Sequence, residues 1–185
     1  LLSKRKIKRK QKELQAALGG DTEPITANEV IMAALCDANQ SSDIFAFTRS
    51  VRGIKPGLGL RDGGNLLCEI SFPRAAGRDP LVIKDILHKG RYYEPNEIPI
   101  WTSFLGRVGR ISNCIAPANL MSFGGCKPLV YCPPKSFLDF TPLDTAIVFR
   151  ASQHYEGILH NFGEMNHNSQ QLLDIMAFEG EEGSI

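Results

Sequence analysis

The stretch "ITANEVIMAALCDAN", residues 25–39, limits the fold more than any other part of the chain. Thr26 carries a hydroxyl of the kind that accepts from the first free N–H groups of a helix. Glu29, three positions on, is placed to reach back to the Thr26 N–H. That pair predicts a helix start. Ile31, Leu35 and Ala38 then share one face, with Val30, Ala33 and Ala34 beside them. The spacing predicts a helix over about residues 27–38, and its broad apolar surface has to be covered by other elements.

The segments that follow supply that cover. "DIFAFTRSVRG" and "LLCEISFP" are rich in β-formers and read as strands, the second stopped by Pro73. Between them lies "IKPGLGLRDGGN", a Gly/Pro-dense loop long enough to suggest a functional role. "AAGRDP" reads as a turn. "PLVIKDILHKGRYY" reads as a helix with Asp79 at its N-cap, Pro80 at its first position and Leu81, Ile83, Ile86 and Leu87 on its buried face. Residues 94–111 give no clear period and read as loop, short helix or both. "PLVYCPP" and "DTAIVFRAS" read as strands, and "EGILHNFGEMNHNSQQLLDIMAFEG" as a last helix or two. The order helix, helix, strand, strand, helix, loop, strand, strand, helix predicts a mixed-sheet α/β sandwich.

The two ends carry opposite charge. Seven of the 21 basic residues fall in the first 12 positions, "LLSKRKIKRKQK", whereas the far end, "AFEGEEGSI", is acidic. Residues 3–18 read as a helix closed by Gly19-Gly20, with Ile7, Leu14 and Leu18 on one narrow stripe. This divides the chain into a basic helical segment or linker, 1–20, and a lobe, 21–185. The basic start fits a solvated helix end or linker, a localisation signal, or a nucleic-acid or membrane patch. No aromatic is interleaved to stack a base, so no nucleic-acid partner is expected.

No run of 18 or more apolar residues exists to span a membrane, and no apolar stretch follows the basic start as in a secretory signal. Five cysteines, Cys36, Cys68, Cys114, Cys126 and Cys132, form no CxxC pair and lie away from most of the four histidines, so no metal site is expected. Each sits among apolar or small residues, as buried thiols do, and the expected setting is cytoplasmic or another reducing compartment. The chain begins Leu-Leu instead of with methionine, from which a processed or longer parent chain is expected.

Four stretches in order resemble a known family. "ITANEVIMAAL" is similar to a T-x-N-D-V-type helix. "SVRGIKPGLGLRDGGNLL" is similar to a strand arginine followed by a loop ending in Gly-Asn. "FPRAAGRDPLVIKDIL" is similar to the turn and helix after it, and "ISNCIAPANLMSFGGCKPLVYCPP" to the S-N-W … D-F-G-W-G-K-P pattern. Over residues of about 20–160 they resemble the C-terminal lobe of the chloramphenicol-acetyltransferase-like acyltransferases, the superfamily of BAHD enzymes, wax ester synthases and condensation domains. The sequence departs from the pattern at Ser122, where BAHD enzymes have aspartate, at Gly125 and Cys114, where they have tryptophan, and at Cys126, where they have glycine.

The resemblance implies roles. The Ser122, Phe123, Gly124, Gly125 and Pro128 loop would be structural, with Gly124 and Gly125 allowing a tight turn. Arg52 would be the arginine that BAHD enzymes pair with the loop aspartate. Ser122 offers only a neutral acceptor in its place. Ser112 would stand near the developing oxyanion of acyl transfer, or else cap a turn together with Asn113. Asn65 would fix the loop beside the acyl tunnel, or serve as a turn residue. Lys127 would meet a phosphate of coenzyme A, or lie in solvent.

The family's general base is a histidine of HHxxxDG on the N-terminal lobe. None of His88, His154, His160 or His167 is followed by that pattern. The resemblance therefore implies half of an enzyme that moves an acyl group from acyl-CoA, a co-substrate and not a permanent cofactor, to an alcohol or amine. The base would come from a missing N-terminal lobe or a companion chain. The alternative is a non-catalytic binding or assembly subunit on the same fold.

Overall fold

The computed structural model describes residues 1–19, 22–50, 57, 59, 67–89, 108–114, 144–150, 154–160 and 164–177. They form, in chain order, β1 (Leu2–Ser3), α1 (Lys4–Leu18), α2 (Ala27–Ala38), β2 (Ile44–Ser50), β3 (Leu67–Pro73), α3 (Arg74–Gly77), α4 (Pro80–Lys89), β4 (Val108–Cys114), β5 (Asp144–Arg150), β6 (His154–His160) and α5 (Gln170–Leu173).

The described strands make one six-stranded sheet in the order β1-β6-β5-β4-β2-β3. β2, β4 and β5 run parallel to one another, and the other neighbours pair antiparallel, so the sheet is mixed. The architecture is the mixed α/β one that the element order predicts.

Helix α2 is the hub. Its Thr26 side chain accepts from Asn28 N at 3.2 Å and the Glu29 carboxylate accepts from Thr26 N at 2.6 Å, which completes the capping box read from the sequence. Val30, Ile31, Met32, Ala33, Ala34, Leu35, Cys36 and Ala38 are all buried, because α2 packs against α1, α3, α4 and α5 around its circumference. Glu29 is buried too, and its carboxylate is occupied by the cap.

One core joins these helices to the sheet. Phe45 and Phe47 of β2, Ile70 and Phe72 of β3, Ile111 of β4 and Ala146 and Val148 of β5 belong to the same buried cluster as α2, Ile83, Ile86 and Leu87 of α4, and Ile175. The spacing of two along each strand puts these residues on one sheet face. Ile44, Ala46 and Val108 form a second, smaller cluster and occupy the alternate positions. Ile7 of α1 is buried in the main core, and Leu14 and Leu18 pack against it, as the stripe predicts. Ser3 caps α1, and the helix ends at Gly19, whose φ of 83° suits a residue without a Cβ.

Three expectations are corrected. Residues 156–160, read as part of a final helix, belong to strand β6, which pairs with β5 from Thr145↔His160 to Arg150↔Tyr155. Among the described residues near that end, Gln170–Leu173 is helical. Gly-Ile-Leu is a short apolar run that suits either period, and the open edge of β5 decides it. The unclear stretch 94–111 ends in strand β4, an interior strand. Its sequence hides it because Gly109 stands at a core-facing position where the Phe45 ring already fills the space a side chain would take. A Cβ there would lie 2.5 Å from Phe45 Cε1. The turn read at "AAGRDP" is partly a one-turn helix, α3. Asp79 does start α4, its carboxylate accepting from Leu81 N at 2.8 Å.

Candidate functional site

The parallel ladder between β2 and β4 is short. It runs Ile44↔Val108, Phe45↔Gly109, Ala46↔Arg110, Phe47↔Ile111 and ends there among the described residues. Both strands continue. β2 stays paired with β3 through Thr48↔Glu69, Arg49↔Cys68 and Ser50↔Leu67. β4 stays paired with β5 through Ser112↔Ile147, Asn113↔Val148 and Cys114↔Phe149. The two central parallel strands therefore end their mutual pairing three residues before their own carboxyl ends, and this unpaired stretch is the candidate crevice.

The next described strand after each of the two lies on the outer side of this crevice. After β2 the chain returns as β3, on the side of β2 remote from β4. After β4 it returns as β5, on the side of β4 remote from β2. That divergence at strand carboxyl ends is the topological condition under which open α/β sheets leave room for a ligand. A strand directs the N–H and C=O of successive residues to alternate sides. Each wall, Thr48–Ser50 and Ser112–Cys114, thus has backbone groups directed into the opening. Such walls suit a narrow extended group that is held by main-chain hydrogen bonds.

The crevice is anchored from below. Phe47 and Ile111 are both 1% exposed, and Phe47 packs against Phe72 with ring centroids 4.4 Å apart. The strands cannot close or slide there without disturbing the core.

Of the residues singled out in the sequence, Ser112 and Asn113 lie on the β4 wall, on the first two rungs beyond the end of the β2–β4 ladder. Cys114, where BAHD enzymes have tryptophan, follows on the same wall. Arg52, Asn65, Ser122, Phe123, Gly124, Gly125, Lys127 and Pro128 lie outside the described residues, as does the strand expected at 128–134. The β2 wall, Thr48–Ser50, was not anticipated. No local pattern marks it, because it is defined by where a partner strand stops pairing.

A polar cluster that the sequence also did not announce lies at the far end of α2. Asp37 accepts from Arg78 Nε at 2.7 Å through one oxygen and from Ser169 Oγ at 2.6 Å through the other. Arg74 donates to the Asp37 and Gln40 carbonyls, and Asn166 N donates to the Ala38 carbonyl at 2.6 Å. Burial raises the Asp37 carboxyl, but the hydrogen bonds from Ser169 and Arg78 and the charges of Arg78 and Arg74 outweigh it and hold the group below its ordinary value. This cluster clamps segment 164–177 onto the sandwich. It is a structural latch. Among the described residues no group of three or more His, Cys, Asp or Glu is placed to hold a metal ion.

No family model matches the chain, and no curated protein matches it in sequence. Among solved structures, a crystal structure of vinorine synthase is similar at a TM-score of 0.48 and 16% identity, over 85% of this chain and 41% of that chain. The chain thus spans less than half the length of that protein. No helix among the described residues is long and apolar enough to cross a membrane.

Proposed function

We propose that this chain is one lobe of an acyltransferase, the lobe that supplies a wall of the acyl site and not the base. The observation that supports the reading is the end of the β2–β4 ladder at Phe47↔Ile111, after which Ser112 and Asn113 continue β4 paired with β5 and not with β2. The resemblance of "ISNC" and the three other stretches to chloramphenicol-acetyltransferase-like enzymes gives that opening its chemistry. The donor is an acyl thioester, acyl-CoA, and the acceptor is an alcohol or amine.

In this reading the acceptor oxygen or nitrogen attacks the thioester carbonyl and loses its proton to a histidine of HHxxxDG on an N-terminal lobe or partner chain. The C–S bond then breaks, and the thiolate takes up that proton. Ser112 donates to the carbonyl oxygen as it becomes an oxyanion. Asn65 and Lys127 belong to the acyl tunnel, and Arg52 and the Ser122–Pro128 loop shape it. A cytoplasmic or other reducing compartment fits Cys36, a free and buried thiol.

The test begins with the mass of the native particle. A native mass near 20.4 kDa, that of this chain alone, with no partner would rule out the enzyme. With the partner lobe present, thiol release from acyl-CoA should depend on both pieces. Ser112→Ala should lower the rate by about 10²-fold with little change in thioester binding. An unchanged rate removes Ser112 from the mechanism. The departures at Cys114, Ser122 and Gly125 favour a second reading, a non-catalytic assembly subunit, in which the same particle forms but no acyl transfer follows.

A further inference from the structure

The inference concerns the outer face of α1 and is independent of the acyl-transfer reading. The cations of the helix divide into two sets. Lys6 Nζ donates to the Met176 carbonyl at 3.0 Å, and Lys10 Nζ meets the Asp174 carboxylate at 3.2 Å, so both serve the fold. Arg5, Lys8, Arg9 and Lys12 are all exposed, and their spacing of three, one and three sets them in one row on the outer face. The same face continues through Glu13, Ala16 and Ala17, which are exposed too. Among the described residues Arg9 meets Glu13 at 3.6 Å, with both side chains mostly exposed, and Arg5, Lys8 and Lys12 meet no acid.

This row works against the helix that carries it. The first turn has no acid, so the positive end of the helix dipole is crowded with like charge. Arg5 and Arg9, and Lys8 and Lys12, are like charges one turn apart, a spacing that destabilises a helix. An anion laid along the row removes that cost.

The apolar side of α1 is already in use. Ile7 is buried in the core, and Leu14 and Leu18 pack against it, so the helix can dock on a surface but has no apolar face left to insert. Leu2 and Ser3 are buried where β1 pairs with β6, so the chain enters the helix from the core side and not across the row. A protein partner is held mainly through a desolvated apolar or aromatic centre, and this face offers none. A nucleic acid finds no aromatic here on which to stack a base. A plane of anionic headgroups needs only a straight row of exposed cations, and Arg5 to Lys12 supplies one about 10 Å long. Each cation near such a surface strengthens binding about fivefold, so four together give about 10³-fold. The formal net charge of the chain is only +1, so the attraction is local to the row.

We infer that the outer face of α1 docks the protein on an anionic phospholipid surface, with Arg5, Lys8, Arg9 and Lys12 against the headgroups and the helix lying flat and uninserted.

Sedimentation of the full chain with lipid vesicles tests it. The expected result is binding to phosphatidylcholine vesicles that contain about a third phosphatidylserine, none to pure phosphatidylcholine, and release in about 0.5 M salt. The variant R5Q/K8Q/R9Q/K12Q should bind about 10³-fold more weakly. Because it relieves the like-charge pairs, it should also melt about 2–4 °C above the parent in dilute buffer, which separates lost binding from lost folding. No binding to the anionic vesicles overturns the inference, as does full binding by the variant. Equal binding to both kinds of vesicle overturns it too, since that would be insertion. So does retention on duplex DNA or on polyglutamate without vesicle binding, which would make a nucleic acid or an acidic protein the occupant. A variant that melts below the parent would show that the row serves the fold itself, and this also overturns the inference.

Discussion

Phe47 of β2 and Ile111 of β4 face each other on the last rung of the β2–β4 ladder, and both side chains are fully enclosed by the core. Everything that distinguishes the candidate site begins one residue later. The pair ties the opening above it to the packing below it. Ile111→Ala should cost about 2–5 kcal/mol and Ile111→Val about 1 kcal/mol, measured by urea unfolding. Amide exchange at Ser112–Cys114 should quicken in Ile111→Val before the rest of the sheet responds. Equal acceleration throughout the sheet would mean that the strand ends are not anchored at this rung.

Gly109 and Phe45 occupy one space. A Cβ at Gly109 would lie 2.5 Å and 2.8 Å from two ring carbons of Phe45 and 3.0 Å from Ser42 Oγ. The ring cannot retreat, because it is itself buried and stacked on Phe72 with centroids 6.4 Å apart. Gly109→Ala should therefore destabilise the protein by about 1–3 kcal/mol. In the double variant with Phe45→Leu the two costs should add to less than their sum, since the smaller side chain vacates the contested volume. Strict additivity in urea denaturation would disprove the shared-space argument.

This pair also shows where the sequence stops speaking. Helix α2 was legible because the signals of its start, Thr26 and Glu29, and its apolar face are local. So were α4, from Asp79 and Pro80, and β2, β3 and β5, from their β-branched and aromatic residues. Strand β4 was not legible, because its core position at Gly109 is filled from another strand, and "VGRISNC" keeps no alternation of bulk. β6 was lost in an apolar run too short to show a period. At the candidate site Ser112 and Asn113 could be named from a motif. That they border an opening depends on pairings with β2 and β5, which no local pattern carries. The Asp37–Ser169 contact joins residues 132 positions apart, with nothing in either stretch to announce the other.

That contact sets an acid limit on stability. The Asp37 carboxyl is held below its ordinary value in the fold, so the unfolded chain binds the proton more readily. The stability it contributes is present above the unfolded pKa of about 3.9 and is lost as pH falls through the lower folded value. Asp174 behaves in the same way: burial raises it, but hydrogen bonds from Gln170 and Lys10 and the charges of Lys10 and Arg9 prevail. Ser169→Ala should cost about 1.5–3 kcal/mol near neutral pH, because the hydrogen bond is to a charged group. The gap to the parent should narrow as pH falls below about 4, where Asp37 protonates in the unfolded chain. A gap independent of pH would show that Ser169 acts by packing alone.

Cys36 sets the opposite limit. Its thiol is fully buried on α2 beside the Asp37 latch, and burial pushes it well above its ordinary value, with the charge of Arg74 opposing and that of Asp37 adding. The folded thiol stays neutral at pH values where the unfolded thiol, with a pKa of about 8.5, ionises. The unfolded state then binds fewer protons, so stability falls as pH rises above that value, and Cys36→Ala should show a shallower alkaline decline than the parent. The same burial governs reactivity. A disulfide reagent needs the thiolate and access to it, so labelling of Cys36 should wait on opening of the α2 core and slow in proportion to stability. Gly77→Ala, whose Cβ would lie 2.4 Å from Phe72 Cε2 and 2.9 Å from Cys36 Sγ, should speed that labelling by loosening the lid over the sulfur. Peptide mapping after timed labelling identifies the cysteine. Modification of Cys36 at the rate of a free thiol in the native protein would mean that α2 is not the enclosed hub on which the sandwich is built.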